Sequence, residues 1–348
     1  MPRRSAMRRF SIVLAFVFPA FVAAPAGAAS FDCAKATTPL EIAICARPAL
    51  SGADETMAAA FSAARGLLSP AASAVLLDNQ RNWLAFAERA CTDDAEPKTA
   101  GHYDDDAVEC LTSVFDQRIR ILKAVGPVGE LMFYSVDEYA VAPDPDPESW
   151  SRVGTTEISF AQMDGDGAEA KALNAHVHAL AEPLFAPPFE DAEEGTADVS
   201  STIAVRSVTP QLITLVIDEY VYGHGAAHGN YVISFSSFLR AERREVIAGD
   251  VFAGGDWALA LKPLVIERLA ADAEAVTGET NMLWDDFTNL EDAIADPSRW
   301  EIGPDGIAFQ FQPYEVAAYA YGAPQALMTW DELSPFLVPG ARDKLIGR

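Results

Sequence analysis

Residues 212–238 read "LITLVIDEYVYGHGAAHGNYVISFSSF", two alternating runs on either side of a glycine-rich segment. Within it His224 and His228 stand four apart, among Gly223, Gly225 and Gly229. On a helix that spacing would put both imidazoles on one face, as in helical zinc sites. The segment is a poor helix: each glycine costs roughly 0.8 to 1 kcal/mol relative to alanine, and no glutamate follows the first histidine. The flanks alternate with period two, so the stretch reads as strand, loop, strand.

The same period recurs in "TEISF", "STIAVRSV" and "GIAFQF", while "AEAKALNAHVHALAEPLF" and "GDWALALKPLVIERLAADAEAV" read as helices. Strands with one apolar face mixed with a few helices predict an α+β layer with a mainly antiparallel sheet rather than regular βαβ units. Gly303, Pro304, Asp305 and Gly306 predict a hairpin turn into the strand at 306–311. The acidic pieces "VAPDPDPES" and "EDAEEGTAD" read as solvated loops.

Before about residue 130 the period is helical. Thr38, Pro39 and Glu41 form a capping box with a proline start, and that helix should stop before Pro48. Ser69-Pro70 opens a second long helix in which Val75, Asn79, Trp83, Phe86 and Ala90 form a stripe, and Val108, Leu111, Phe115, Ile119 and Leu122 form another. Both stripes read as packed seams. All four cysteines, Cys33, Cys45, Cys91 and Cys110, lie in this region. Their spacings contain no Cys-x-x-Cys zinc knuckle. Four cysteines allow three pairings; we expect the nearest-neighbour one, Cys33 with Cys45 and Cys91 with Cys110, closing two short loops.

The N-terminus joins four arginines without an acid to the apolar run "SIVLAFVFPAFVAAPAGAA". This is the pattern of a secretory signal peptide ending near residue 29. No later run is apolar for long enough to span a bilayer. The sequence therefore predicts a signal peptide over 1–29, a small all-α disulfide-stapled helical domain over 30–125 and an α+β domain over 126–348, periplasmic or secreted.

Asp32-Cys33, Glu41 four residues before Cys45, Leu50, Asp54, Gln80 with Trp83, Cys91, Cys110 and Arg118 form an ordered set across residues 31–123 that resembles the LprI lysozyme-inhibitor family. Further on, "GHGAAHGNY", "REVIAGDVF" and "IAFQFQPYEVAAYAYGAPQALMTWDEL" resemble the extracellular domain (DUF4163/DUF3298 type) shared by the lysozyme-sensing anti-sigma factor RsiV and the non-catalytic region of the peptidoglycan deacetylase PdaC. The resemblance implies that the Gly223–Gly229 loop joins neighbouring strands and that His224 and His228 are hydrogen-bonding loop residues, structural or part of a recognition surface, rather than zinc ligands. It also implies a lysozyme or muramidase-like partner.

Catalytic signatures are sparse. The sequence has no G-x-S-x-G elbow, P-loop or dinucleotide fingerprint, and no cofactor is expected. "DGDG" at 164–167 lacks the closing glutamate of a calcium loop and reads as a polar turn. An unlocated carboxylate pair is the one route to a hydrolase. With 25 basic and 51 acidic residues the net charge is -26; without the four leader arginines it is 21 against 51, about -30. Such a chain should repel nucleic acid and anionic membranes and attract cationic proteins. In the tail, Tyr314, Tyr319 and Tyr321 are candidates for a protein interface; packing in the sheet core is the alternative. Three functions follow in order: a lysozyme binder or inhibitor protecting peptidoglycan, a non-catalytic peptidoglycan-binding envelope protein, and a hydrolase.

Overall fold

The computed structural model describes residues 29–145, 151–185, 196–278, 283–284, 287 and 289–347. The leader through residue 28 lies outside the described residues, as do the later part of the first acidic segment and the earlier part of the second.

The chain begins with four helices: α1 (Pro39–Ala46), α2 (Pro48–Leu67), α3 (Pro70–Ala90) and α4 (Asp105–Lys123). Thr38 caps α1 in a reciprocal box with Glu41. Arg47, extended at φ -116° and ψ 109°, breaks α1 from α2 because the following proline disfavours a helical conformation there. Ser69 accepts from the Ala72 amide and caps α3. Disulfides join Cys33 to Cys45 and Cys91 to Cys110, the second holding the end of α3 to α4. The α3 seam differs in one place from the sequence expectation. Val75 is 42% exposed and Leu76 is fully buried, because α3 rests on both α2 and the sheet and its inward face is turned by one residue.

Seven strands follow in one sheet: β1 (Gly126–Val128), β2 (Leu131–Pro143), β3 (Val153–Met163), β4 (Ala197–Val208), β5 (Leu212–Gly223), β6 (Asn230–Leu239) and β7 (Arg244–Glu245), in spatial order 1 to 7. All neighbours pair antiparallel except β3 and β4, which are parallel and connected through α5 (Ala168–Ala181). The start of the first acidic segment and the end of the second are strand rather than loop. β2 runs on to Pro143 because Val141 is buried under the helical region and the strand pairs with β3 along its length; β4 already begins at Ala197. On one face Ile158, Phe160, Ile203, Leu215 and Phe238 meet Leu173 and Val177 of α5. The β2 end of the other face receives α3, with Phe86 stacked on Tyr139 at 4.7 Å.

The remaining elements are α6 (Ala248–Val251), α7 (Trp257–Thr277), α8 (Leu290–Ala295), β8 (Trp300–Ile302), β9 (Gly306–Gln310), β10 (Gln325–Thr329), α9 (Trp330–Leu333) and α10 (Ala341–Ile346). Strands β8 to β10 make a second, antiparallel sheet. Its β8–β9 turn is the Gly303–Gly306 segment, and Gly306 is tightly constrained: a Cβ there would lie 1.9 Å from the Met328 carbonyl oxygen. A core around Phe252, Trp257, Trp300 and Phe309 joins these elements to β5 and β6. The molecule is thus a disulfide-stapled helical region followed by an α+β region with a mainly antiparallel sheet.

Candidate functional site

The Gly223–Gly229 segment connects β5 to β6, whose register pairs Tyr220 with Tyr231. Gly225 has φ +89°, which glycine adopts without steric cost. Gly229 is fixed by contact instead, since a Cβ there would sit 2.3 Å from the Tyr220 ring and hydroxyl. The two histidines face different surroundings. The His224 side chain is 2% exposed; Nε2 lies 3.1 Å from Asp198 Oδ2 and Nδ1 lies 3.5 Å from Asp144 and in contact with the Thr196 hydroxyl. Its backbone N–H donates to the Thr196 carbonyl at 2.9 Å. It therefore ties the loop to the end of β2 and the start of β4. His228 stacks on Tyr319 at 4.1 Å. Among the described residues no group of three or more His, Cys, Asp and Glu side chains is arranged to hold a metal.

Tyr319 donates its hydroxyl to the Gly229 carbonyl at 2.7 Å. Tyr314 lies 5.3 Å from the Tyr319 ring and Tyr231 lies 6.1 Å from it. Partial burial among Tyr231, Tyr220 and Tyr314 raises the Tyr319 pKa. Tyr314 is 54% exposed and has φ +68°, a left-handed conformation that costs a bulky residue on the order of 1–3 kcal/mol. Its carbonyl accepts from Trp284 Nε1 at 3.2 Å, and Trp284 is itself 44% exposed. None of the three tail tyrosines is fully buried: Tyr314 is exposed and Tyr319 and Tyr321 are partly buried, while Phe311 and Val316 fill the interior. Tyr321 stands apart, beside Asp272 of α7. Trp284, Tyr220 and Tyr231 were not singled out from sequence; the alternation that places Tyr220 on the polar side of β5 was the available signal.

A polar seam joins the helical region to the sheet. Arg118 of α4 donates Nη1 to Asp137 Oδ2 of β2 at 2.5 Å and Nε to Gln80 at 2.8 Å. Asn79 donates to the Asp137 carbonyl at 2.7 Å. Burial raises the Asp137 pKa, with Arg118 and Ser159 pulling it back. At the other end of α3 the Ser69 amide and hydroxyl donate to Asp164 at 2.7 and 2.6 Å, so the "DGDG" turn holds a helix start.

Beside the Arg118–Asp137 pair, strand register lines up two rows across the sheet: Asp137, Ser159 and Thr202, then Tyr139, Glu157 and Ser200. With Gln117, Arg120 and Ile121 of α4 as a wall they line a groove of about 360 Å³. Burial pushes the Glu157 pKa up to about 7, with Asp137 and Asp198 adding to it. The segment closed by Cys91 and Cys110, which runs into the first turns of α4, exposes Asp93, Asp94, Glu96, Asp104, Asp105, Asp106 and Glu109, Asp105 pairing with Arg47 at 2.5 Å.

Comparison with known families places both regions. Residues 33–122 match the family model of the lysozyme inhibitor LprI. Residues 249–331 match that of DUF3298, described as a protein of unknown function. The helical region thus carries the match to the LprI family and the later α+β region the match to DUF3298. Among solved structures it is similar to a DUF3298 family member from Bacteroides fragilis NCTC 9343, with 18% identity, TM-score 0.47, and coverage of 64% of this chain and 99% of that one. It is also similar to one from Pseudomonas aeruginosa PAO1, with 16% identity, TM-score 0.43, and coverage of 62% and 97%. No curated protein matches the chain.

Proposed function

We propose that this chain is an exported protein that binds and inhibits a lysozyme or muramidase-like enzyme and so protects peptidoglycan. The observation that carries the reading is the LprI match over 33–122, on a helical region closed by two disulfides of the kind that persist outside the cytosol. The helical domain is taken as 30–125 and the α+β domain as 126–348, with residues 1–29 removed on export. Seven exposed carboxylates between Cys91 and Cys110, on a chain of net charge -26, suit a cationic protein surface. The exposed Tyr314 and Trp284, with the partly buried Tyr319 beside Tyr314, supply an apolar contact that salt does not screen, with His228 stacked on Tyr319 and the glycines of 223–229 shaping the adjoining loop. Catalysis by the chain itself plays no part in this account.

The test is calorimetric titration of the purified chain with lysozyme at low and physiological salt, beside a cell-wall lysis assay. Saturable binding that weakens with salt and a matching loss of lysis support the reading. Undiminished lysis at excess chain refutes it.

A further inference from the structure

The groove beside α4 takes no part in that interface. Two rows of polar side chains cross three strands of its otherwise largely apolar lining: Asp137, Ser159 and Thr202 in one row and Tyr139, Glu157 and Ser200 in the next, directly opposed side chains in such rows standing about 4.5–5.5 Å apart. Its volume of about 360 Å³ falls within the roughly 300–1,000 Å³ of small-ligand sites. We propose that this groove binds a neutral oligosaccharide, one ring resting on β2 to β4 against α4 and the chain running outward toward Tyr220.

Four observations carry the assignment. First, the floor presents hydroxyls in succession, each able to donate and accept, which suits a ligand whose own groups alternate the same way. Second, the inner end is closed by Asp137 and Tyr139, with Asp137 held by Arg118 and with a side chain only 1% exposed. Third, the floor carries little net charge although the chain is strongly acidic. Arg118 pairs with Asp137, and burial, with Asp137 and Asp198 adding to it, raises the Glu157 pKa to about 7, so that at pH 6 it is mostly protonated; Arg120 on the wall is the remaining charge facing the groove, and an anionic ligand would still meet the negative field of the whole chain. Fourth, the second row continues onto β5 at Tyr220, which pairs with Ser200 and is 44% exposed. A ring there offers an apolar face beside a polar tip.

The site needs both regions of the chain, since α4 is its wall and the sheet its floor. It does not depend on lysozyme binding, which is measured separately on the same material.

The experiment titrates the purified chain at pH 6 with cellotriose, maltotriose and N,N′,N″-triacetylchitotriose by calorimetry. Saturable binding of at least one is expected, at least tenfold weaker in Ser200→Trp, which fills the groove from its exposed floor. In wild type affinity should fall between pH 6 and 8 as Glu157 loses its proton, and Glu157→Gln should flatten that profile. Amide hydrogen exchange on the wild-type chain gives a readout free of variants: sugar should protect residues 117–124 and 198–204. No saturation by any of the three up to about 10 mM, binding that Ser200→Trp leaves unchanged, or protection confined to Tyr314, Tyr319 and Trp284 overturns the proposal. Failure here with lysozyme binding intact removes the sugar site alone.

Discussion

Arg118 and Asp137 form an ion pair, 2.5 Å between Nη1 and Oδ2, with side chains 0% and 1% exposed, that joins the last helix of the stapled region to the second strand of the sheet. Two charges taken out of water are costly, and their stability rests on each other. The helical region and the sheet are consequently bound through a contact that tolerates no half-removal.

Asp137→Ala should therefore cost about 3–5 kcal/mol, because it strands the Arg118 guanidinium in the interior. Urea unfolding followed by tryptophan fluorescence and by circular dichroism reads the loss. A variant within about 1 kcal/mol of wild type would show that the pair does not hold the two regions together.

Removal of the disulfide between Cys91 and Cys110, separated by 19 residues, should lower stability by roughly 3 kcal/mol through the entropy of the unfolded loop. The double replacement Cys91→Ser with Cys110→Ser, melted beside wild type, tests this. Non-reducing peptide mapping of wild type should recover Cys33 linked to Cys45 and Cys91 linked to Cys110. A crosslink between the early and late pairs would contradict the fold.

Glu157 sets a pH dependence. Burial raises its folded pKa to about 7, above the unfolded value of roughly 4.3, so the folded chain binds more protons than the unfolded chain between those values. Stability should then fall as pH rises from about 4.3 to 7 and level off beyond, by at most about 4 kcal/mol from this group. Glu157→Gln should remove the slope, seen as denaturant midpoints at pH 5 and pH 8 that lie closer together than in wild type. An unchanged slope would place the titration elsewhere.

Tyr319 connects the tail to the Gly223–Gly229 loop by its hydroxyl and by stacking on His228, whereas Tyr314 is exposed. Tyr314→Ala should leave the melting transition nearly unchanged and weaken lysozyme binding by on the order of 2 kcal/mol if it anchors the contact. Calorimetry with a circular-dichroism check separates these effects. Full affinity in a folded Tyr314→Ala chain would move the interface away from this platform.

Much of this architecture was legible locally. The box of Thr38 and Glu41, the proline starts at Pro39 and Pro70 and the alternation of β5 and β6 are written in short stretches, where capping and periodicity act within a turn or a strand. What escaped was set by tertiary contact. The exposure of Val75 and burial of Leu76 depend on what α3 lies against. Strand character at Val141 and Pro143 comes from pairing with β3, which overrides two prolines nearby. The candidate groove was illegible because Asp137, Glu157 and Ser200 lie on three strands, one pairing of which is parallel. For the tail, the tyrosines could be named but not their exposure, which follows from the left-handed turn at Tyr314 and from Phe311 and Val316 taking the interior.

The most direct test of the central claim is a lysis assay in which a lysozyme of the basic animal type digests cell walls while the purified chain is titrated in, at low and physiological salt. The account expects lysis to fall in proportion to added chain until it is abolished near stoichiometric excess, with a higher chain concentration needed as salt rises, since attraction between a chain of net charge -26 and a cationic enzyme is screened. Lysis that continues at its full rate with chain in large excess at low salt, where attraction is strongest, would contradict it.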